Sequence, residues 1–539
     1  MKIFNVTGLC IPEEHYMVDI SGKVAQIREL VERRSYFTIN RARQYGKTTT
    51  LNELEKNLSD EYMVVSISFE GLGDETFGSA ENFCETFMEY IQSELQLLSD
   101  EDEYIEKWVD YNVKNFKLLS QHITKMCKNK KIVLMIDEVD QASNNRVFLQ
   151  FLGMLRDKYL LRGRGKGYTF HSVILAGVYD IRGTNVNVSS HTVHAHTCID
   201  KNLKLKLINA GLYTPAPTEK KIYNSPWNIA IDFEIDMSFS PAEIATMLND
   251  YEADHKTGMD IAAISGEIHD YTSGYPFLVS RICQRIDEKL DKSWTTGGVL
   301  EAATMLLTEA NTLFDDLFKN IHNNENLREL LYDLLFIGKD LPFSIDDETM
   351  NLGVMYGFLK NVDGKVRVAN KIFATRINNY FVLQEIKAAD YSLHSAKAAV
   401  IQNGRLNMSV CLERFGQHYA EITSGKDIKF LERHGTLLFL SYLKPLINGE
   451  GDYYIEPQMG DFRMDIAVQY KSEQFIMELK LWHGEKMHEE AYEQLFEYLE
   501  AKGANEGYLL TFDFRKEKNK ESKAKWVEYK GKRIFDVIV

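Results

Sequence analysis

The amino-acid sequence predicts an α/β multidomain protein: a parallel-sheet core, a helical lid, a middle region resembling a winged helix, and a separate C-terminal α/β domain. Three observations predict it. The first third alternates short apolar, β-rich runs with helical patterns, the β signal fades from about residue 216, and residues 386–539 return to strands in a new arrangement. Strands that alternate with helices imply βαβ units and a parallel sheet. At 539 residues the chain has room for several domains. The expected bounds are 1–215 for the core, 216–290 for the lid, 291–385 for the winged-helix-like region and 386–539 for the last domain.

Composition narrows the class. The chain is 44% hydrophobic and 26% charged, with nine prolines and no low-complexity tract, which argues for packed domains rather than long disordered linkers. A formal charge of −16 disfavours a protein coated in nucleic-acid-binding surface. One basic stretch stands out, since Arg515–Arg533 holds nine Lys/Arg against three Glu. The six cysteines are scattered without a CxxC pair, as reduced thiols of a cytosolic protein are. The start MKIFNVTGLCIPEE lacks an unbroken apolar run, and IVLMI and LLFLSYL are too short to span a bilayer. A cytoplasmic, soluble protein without a membrane partner is expected.

The first strands are SYFTIN (35–40), YMVVSISF (62–69), KIVLMID (131–137) and FHSVILAGV (170–178). TTTLNELEKNL and RVFLQFLGMLRDKYL between them repeat apolar residues at the helical period. The strands are nearly continuous apolar runs, as helices on both sheet faces require. Further on, SPAEIATMLNDYEADH starts a helix with Ser240 as cap, Pro241 in the first turn and Glu243 at the capping-box position. In GFLKNVDGKVRVANKIFATRI two alternating runs flank Asp363-Gly364, a hairpin signal. Helices followed by that hairpin suggest a winged helix, with a small α+β spacer as the alternative. The last domain reads as a helix (FLERHGTLLFLSYLKPLI), strands in DYYIEP, DFRMDIAVQY and EQFIMELKLW, a helix in HEEAYEQLFEYLEAKG and a strand in GYLLTFDF.

Two constellations carry chemistry. In YFTINRARQYGKTTTL a strand runs into Gly46-Lys47-Thr48 and then a helix, the context of a phosphate-binding loop. Lys47 would reach the terminal phosphates and Thr48 would ligate Mg2+. Arg43, Gln44, Tyr45, Gly46 and Thr49 complete the loop that would hold the nucleotide. Arg41 stands where the first loop glycine is usual, although the anion nest forms nearer Gly46. Downstream, KIVLMIDEVD supplies Asp137 as a second Mg2+ ligand and Glu138 as a base for the attacking water. An ATPase of the additional-strand class has one more strand between these motifs, and YMVVSISF lies in that interval. ATP with Mg2+ is the expected cofactor.

The second constellation is Asp465 in DFRMDIAVQY with Glu478-Leu479-Lys480 thirteen residues later. On a strand, positions 478 and 480 share a face, and a hairpin would bring Asp465 alongside. Asp465 and Glu478 would hold Mg2+ and orient a water, while Lys480 stabilises charge on a phosphate. Gln494 and Tyr498 follow at i, i+4 on the next helix, and Glu432 on the preceding helix offers a further carboxylate. The bland alternative is a solvated strand edge. Against it, the charges sit among the large apolar residues of FIMELKLW, where they are costly unless partnered or functional.

YFTINRARQYGKTTTL, KIVLMIDEVDQASNNRVFLQFLGMLRDKY, NSPWNIAIDFEIDMSFSPAEI and YTSGYPFLVSRICQRIDE together resemble the AAA-ATPase-like family of bacterial proteins. That family commonly carries a C-terminal PD-(D/E)XK nuclease domain. The resemblance implies a P-loop ATPase core with a nuclease-like α/β domain, and it makes an Arg at position 41 an expected feature. It places the D…ExK motif on Asp465, Glu478 and Lys480, the first-helix acid on Glu432 and the QxxxY motif on Gln494 and Tyr498. The usual proline before the motif Asp is replaced by Met464. One segment departs from the pattern: residues 183–200 intervene after AGVYDIR, with His191, His194, His196 and Cys198. A surface loop is the expected reading of that segment, with a metal site as the alternative, and Arg182 is a weak sensor candidate.

The leading expectation is an ATP-binding, ATP-hydrolysing protein coupled to a Mg2+-dependent nuclease, with DNA favoured over RNA. Nucleotide-dependent closure or homo-oligomerisation would position the winged helix and nuclease domain on nucleic acid. The rival from another class is a nucleotide-switched binding or signalling module with an inactive nuclease-like domain. Acidic residues facing a phosphate argue against that rival, since without a metal they would repel it.

Overall fold

The computed structural model describes residues 2–98, 113–142, 145–178, 226–337, 339–388, 400–423, 428–456, 463–482, 484–513 and 523–539. Arg182 and the 183–200 insertion lie outside the described residues. The chain divides into two compact units: Ile20–Ala42 with Gly46–Met237, and Met1–Asp19 with Arg43–Tyr45 and Ser238–Val539.

The smaller unit runs α1 (Ser21–Glu32), β1 (Tyr36–Asn40), α2 (Lys47–Leu58), β2 (Met63–Ser68), α3 (Ala80–Leu98), α4 (Phe116–Met126), β3 (Ile132–Asp137), α5 (Arg146–Gly163) and β4 (Ser172–Gly177). The described strands pair in parallel in the order β1-β4-β3-β2. Every residue of β3 and β4 is buried, which is why these runs read as unbroken apolar stretches. One face of the sheet packs Val65, Ile67, Leu134 and Leu175 against Phe83, Phe87, Ile123, Phe148 and Phe151 of α3, α4 and α5. The strand in YMVVSISF forms as β2, but it lies at the outer edge of the sheet. The strand that separates β1 from β3 is β4. Sequence order hides this, because a crossover connection can carry the chain past a neighbouring strand. Residues 227–231 return to β1: Trp227 Nε1 donates to Thr38 Oγ1 at 2.9 Å, and Ile231 bridges Phe37 in parallel.

The larger unit continues with α6 (Pro241–His255), α7 (Ile261–Thr272), α8 (Pro276–Lys289), α9 (Thr296–Thr308), α10 (Thr312–Asn323), α11 (Glu325–Tyr332) and α12 (Glu348–Met355). The capping box forms as its residues predict: the Glu243 N–H donates to Ser240 Oγ at 3.2 Å, and the Ser240 N–H donates to Glu243 Oε2 at 2.8 Å. The hairpin also forms, as β5 (Leu359–Val362) and β6 (Lys365–Val368). Its two turn residues, Asp363 and Gly364, both have positive φ, +50° and +79°, the requirement of a type I′ turn.

Next come α13 (Lys371–Ala388), the short pair β7 (Ile401–Gln402) and β8 (Arg405–Leu406), α14 (Met408–Thr423) and α15 (Ile428–Ile447). The last part contains β9 (Gly451–Glu456), β10 (Arg463–Tyr470), β11 (Glu473–Leu481), α16 (Glu485–Lys502), β12 (Glu506–Phe512), β13 (Lys523–Tyr529) and β14 (Lys532–Ile538). They form a mixed sheet in the order β13-β14-β12-β11-β10-β9. β9, β10 and β11 are antiparallel, whereas β11, β12 and β14 are parallel, with α16 making the crossover that a parallel pair needs. Gly435 of α15 lies against the Phe512 ring, where an added Cβ would come within 3.0 Å, so a small residue lets helix and sheet meet. The Tyr453 hydroxyl donates to Asn378 Oδ1 of α13 at 2.8 Å, which joins this sheet to the helices before it.

The hairpin β13–β14 is not anticipated in the sequence. KAKWVEY is an exposed edge strand, so it lacks the apolar alternation that marks a half-buried one. Its partner supplies the burial instead.

Candidate functional site

The phosphate-loop sequence folds as a strand, a loop and a helix. Gly46 takes the left-handed conformation, φ +77°, as the residue before α2, and Lys47 and Thr48 open that helix. A side chain at Gly46 would be strained by this φ whatever the space around it. Lys47 is buried to 5% exposure, and its ammonium donates to the carbonyls of Arg41 and Ala42 at 3.0 and 3.1 Å. The Thr48 hydroxyl donates to Asp137 Oδ2 at 2.7 Å, so the loop and the end of β3 meet through these two side chains. Asp137 Oδ1 accepts from the Glu138 N–H at 2.9 Å. Glu138 itself has φ +54°, an uncommon conformation for a residue with a side chain. Thr49 lies in the first turn of α2.

Arg41 has a structural task that sequence reasoning missed. Its guanidinium donates to the carbonyls of Asn40 and Ile235 at 2.8 and 2.6 Å and lies 5.3 Å from the centre of the Phe233 ring. A glycine could make none of these contacts. Within the larger unit, Arg43, Gln44 and Tyr45 are each engaged. The Tyr275 hydroxyl donates to the Arg43 carbonyl at 2.6 Å, Gln44 Nε2 donates to Thr312 Oγ1 at 3.0 Å, and the Arg43 guanidinium lies 3.1 Å from Asp316. Tyr45 meets the Tyr275 ring edge-on at 4.6 Å.

The second constellation lies on the mixed sheet. β10 and β11 form the anticipated hairpin, and the register sets Asp465 directly opposite Glu478. The Asp465 and Glu432 side chains lie outside the described residues, so for these two the structure gives backbone position alone. Glu478 is 1% exposed and Lys480 8%, with Lys480 Nζ 3.8 Å from Glu478 Oε1. Lys480 also donates to Gln494 Oε1 of α16 at 3.0 Å, so two of the expected residues on different elements touch. Tyr498, one turn further on, packs on the apolar cluster of Ile476, Leu495, Leu499 and Leu509 between α16 and the sheet.

Both constellations fall within matches to known families. The family model of an AAA-like domain matches residues 14–169, and that of the PD-(D/E)XK nuclease superfamily matches residues 453–524. The chain carries an AAA-like domain and a PD-(D/E)XK nuclease superfamily region. Among solved structures, it is similar to the Walker-type ATPase PABY2304 of Pyrococcus abyssi at 12% identity and a TM-score of 0.43, over 69% of this chain and 99% of that one. It is also similar to the Aeropyrum pernix ORC2 protein at 11% identity and a TM-score of 0.38, over 72% and 98%. The Thermotoga maritima RuvB Holliday junction branch migration motor is similar at 14% identity and a TM-score of 0.28, over 65% and 91%. No curated protein matches.

The AAA-like match spans Arg43–Thr49, Asp137 and Glu138; the nuclease superfamily match spans Asp465, Glu478, Lys480, Gln494 and Tyr498 but ends before β14. Beyond its end, the nuclease-like sheet holds a polar group missing from the sequence reading. His488 Nε2 lies 3.0 Å from Asp536 Oδ2, and the Tyr492 hydroxyl donates to the same oxygen at 2.6 Å. Burial, and then this bond to Asp536, raises the Tyr492 phenol above its ordinary range. A lone acid in the apolar run IFDVIV was the signal for this group. Among the described residues, no helix is long and apolar enough to cross a membrane.

Proposed function

We propose that this chain binds and hydrolyses ATP and thereby controls a Mg2+-dependent phosphodiesterase that acts on nucleic acid, DNA in preference to RNA. The observation that carries the proposal is the buried Glu478–Lys480 pair, with Asp465 at the facing register position. A carboxylate and an ammonium placed together under a helix, rather than on a solvated edge, support a chemical role. On this reading residues 1–215 are the ATPase core, 216–290 the lid, 291–385 a winged helix and 386–539 the nuclease domain. The protein works in the cytoplasm, and nucleotide-dependent closure or homo-oligomerisation presents the nuclease domain to its substrate.

The donor sets suit Mg2+. Thr48 Oγ1 and the Asp137 carboxylate offer hard oxygen donors 2.7 Å apart. Glu478, with Asp465 across the hairpin, offers carboxylate oxygens at the second site. Mg2+ at these positions supplies an acidified water and neutralises phosphate charge. The chain's own residues supply the rest. Lys47 neutralises the terminal phosphates of ATP, and Glu138 orients the attacking water in the ATPase core. Lys480 faces the negative charge that develops on the scissile phosphate, and Gln494 holds its ammonium in place.

The test is a panel of single- and double-stranded DNA and RNA incubated with the full chain, with and without ATP and Mg2+. Glu478→Ala abolishes cleavage on this reading, and Lys47→Ala abolishes its response to ATP. Cleavage that is the same in the wild type and in Glu478→Ala sinks the nuclease assignment. Retained, nucleotide-sensitive binding of nucleic acid would then favour the switched binding module.

A further inference from the structure

Asp536 is the one acid in the buried strand β14, and it is 1% exposed. Its Oδ2 is shared by His488 and Tyr492 of α16, while its Oδ1 has no hydrogen-bond partner among the described residues. A buried carboxylate left half-satisfied costs stability. The Tyr492 hydroxyl by itself ties α16 to Asp536, so anchoring does not account for the second contact, from His488.

Its position is informative. Alternation along β11 puts Glu478 and Lys480 on one face, and Trp482 follows directly after the strand's end. Lys480 pairs in register with Thr511 of β12, and β12 is flanked in turn by β14. His488 stands over this row. Its ring lies 4.9 Å from Trp482, and its Nδ1 is 3.5 Å from Thr511 Oγ1, the limit of a hydrogen bond. Adjacent strands are about 4.8 Å apart, so the imidazole sits roughly one strand from Lys480. Asp536 takes Nε2 and thereby leaves Nδ1 as the nitrogen that exchanges a proton. The side chain of His488 is 11% exposed, at the margin of the covered strip rather than beneath it.

We propose that His488, held by Asp536, is the general acid of the phosphodiesterase, donating a proton from Nδ1 to the leaving oxygen. This inference rests on the nuclease reading above. In the step, the oxygen of an attacking water bonds to phosphorus and the bond from phosphorus to the leaving oxygen breaks. The leaving oxygen takes the proton from Nδ1 and departs as an alcohol. The proton lost by the water goes to solvent, and solvent restores the proton on His488. No oxidant or further reactant is needed.

The test compares two substrates with the full-length protein and Mg2+: DNA, whose alkoxide leaving group needs a proton, and a p-nitrophenyl phosphodiester of thymidine, whose leaving group does not. His488→Gln is expected to lower DNA cleavage about 100-fold or more, and nitrophenyl ester cleavage by less than about fivefold. Asp536→Asn, which keeps the shape but frees the ring, is expected to give a smaller loss with the same selectivity. Lys480→Ala, by contrast, lowers both. Equal losses on the two substrates, with a lowered melting temperature, would mean that the pair merely anchors α16 and would overturn the assignment. Unchanged DNA cleavage in His488→Gln overturns it as well. Absence of cleavage by the wild type overturns both this inference and the nuclease reading, whereas the other adverse results remove this inference alone.

Discussion

The buried Glu478–Lys480 pair makes a quantitative prediction about stability that is separate from activity. The two charges are 3.8 Å apart and almost fully covered. At an effective dielectric of about 20, their attraction is about 4 kcal/mol, well above the 0–1 kcal/mol typical of exposed pairs. Removing one partner leaves the other charge buried without its ion pair, so Lys480→Met and Glu478→Gln should each cost about 3 kcal/mol. The double variant should cost much less than the sum, because no charge of the pair then remains buried. A coupling of about 2–4 kcal/mol between the two changes is expected. The assay is a double-mutant cycle read by hydrogen exchange of the β11 amides across a denaturant series, which reports this element separately from the rest of a multidomain chain. Additive losses, with a coupling below about 0.5 kcal/mol, would show the pair to be solvated and would refute the burial argument for a functional site.

Three further predictions concern other parts of the chain. Lys47→Ala should remove ATP binding measured by calorimetry while the far-ultraviolet circular dichroism is unchanged, since the ammonium donates to the loop carbonyls of Arg41 and Ala42 and joins no secondary-structure ladder through them. Gly274→Ala should destabilise the larger unit by about 3 kcal/mol or more in urea melts. Gly274 has φ +70°, and an added Cβ would meet the Phe239 carbonyl oxygen at 2.0 Å. His171 should make the smaller unit sensitive to acid. Burial first, and then the charges of Arg34, Lys131 and Arg162, lower its pKa from 6.5 to about 4. The unfolded chain therefore binds a proton that the folded chain refuses between these values. Stability is full above pH 6.5, falls as the pH drops toward 4, and changes no further on this account below it. Melting temperatures of wild type and His171→Gln across this range check it; parallel curves would count against the assignment.

Legibility of the chain followed local rules. The capping box at Ser240 and Glu243, the Asp363-Gly364 turn and the apolar strands β1 to β4 each depend on neighbours within a few residues, and each formed where expected. The spacing of Asp465 and Glu478 likewise contained its own register, because a short antiparallel hairpin between strands fixes which residues face each other. Edge strand β13 was hidden, since its exposed residues carry no alternation.

By itself, then, the sequence determined the local elements, the loop at Gly46-Lys47-Thr48 and the D…ExK pattern, all encoded by short-range geometry. Only the tertiary structure decided that β4, not β2, separates β1 from β3, because sheet order depends on how crossovers pass one another. It also decided that Arg41 clasps the backbone at Ile235, and that Asp536 meets His488 across 48 residues of chain. Contacts between distant segments arise from the packing of whole elements, and no periodicity within either segment records them.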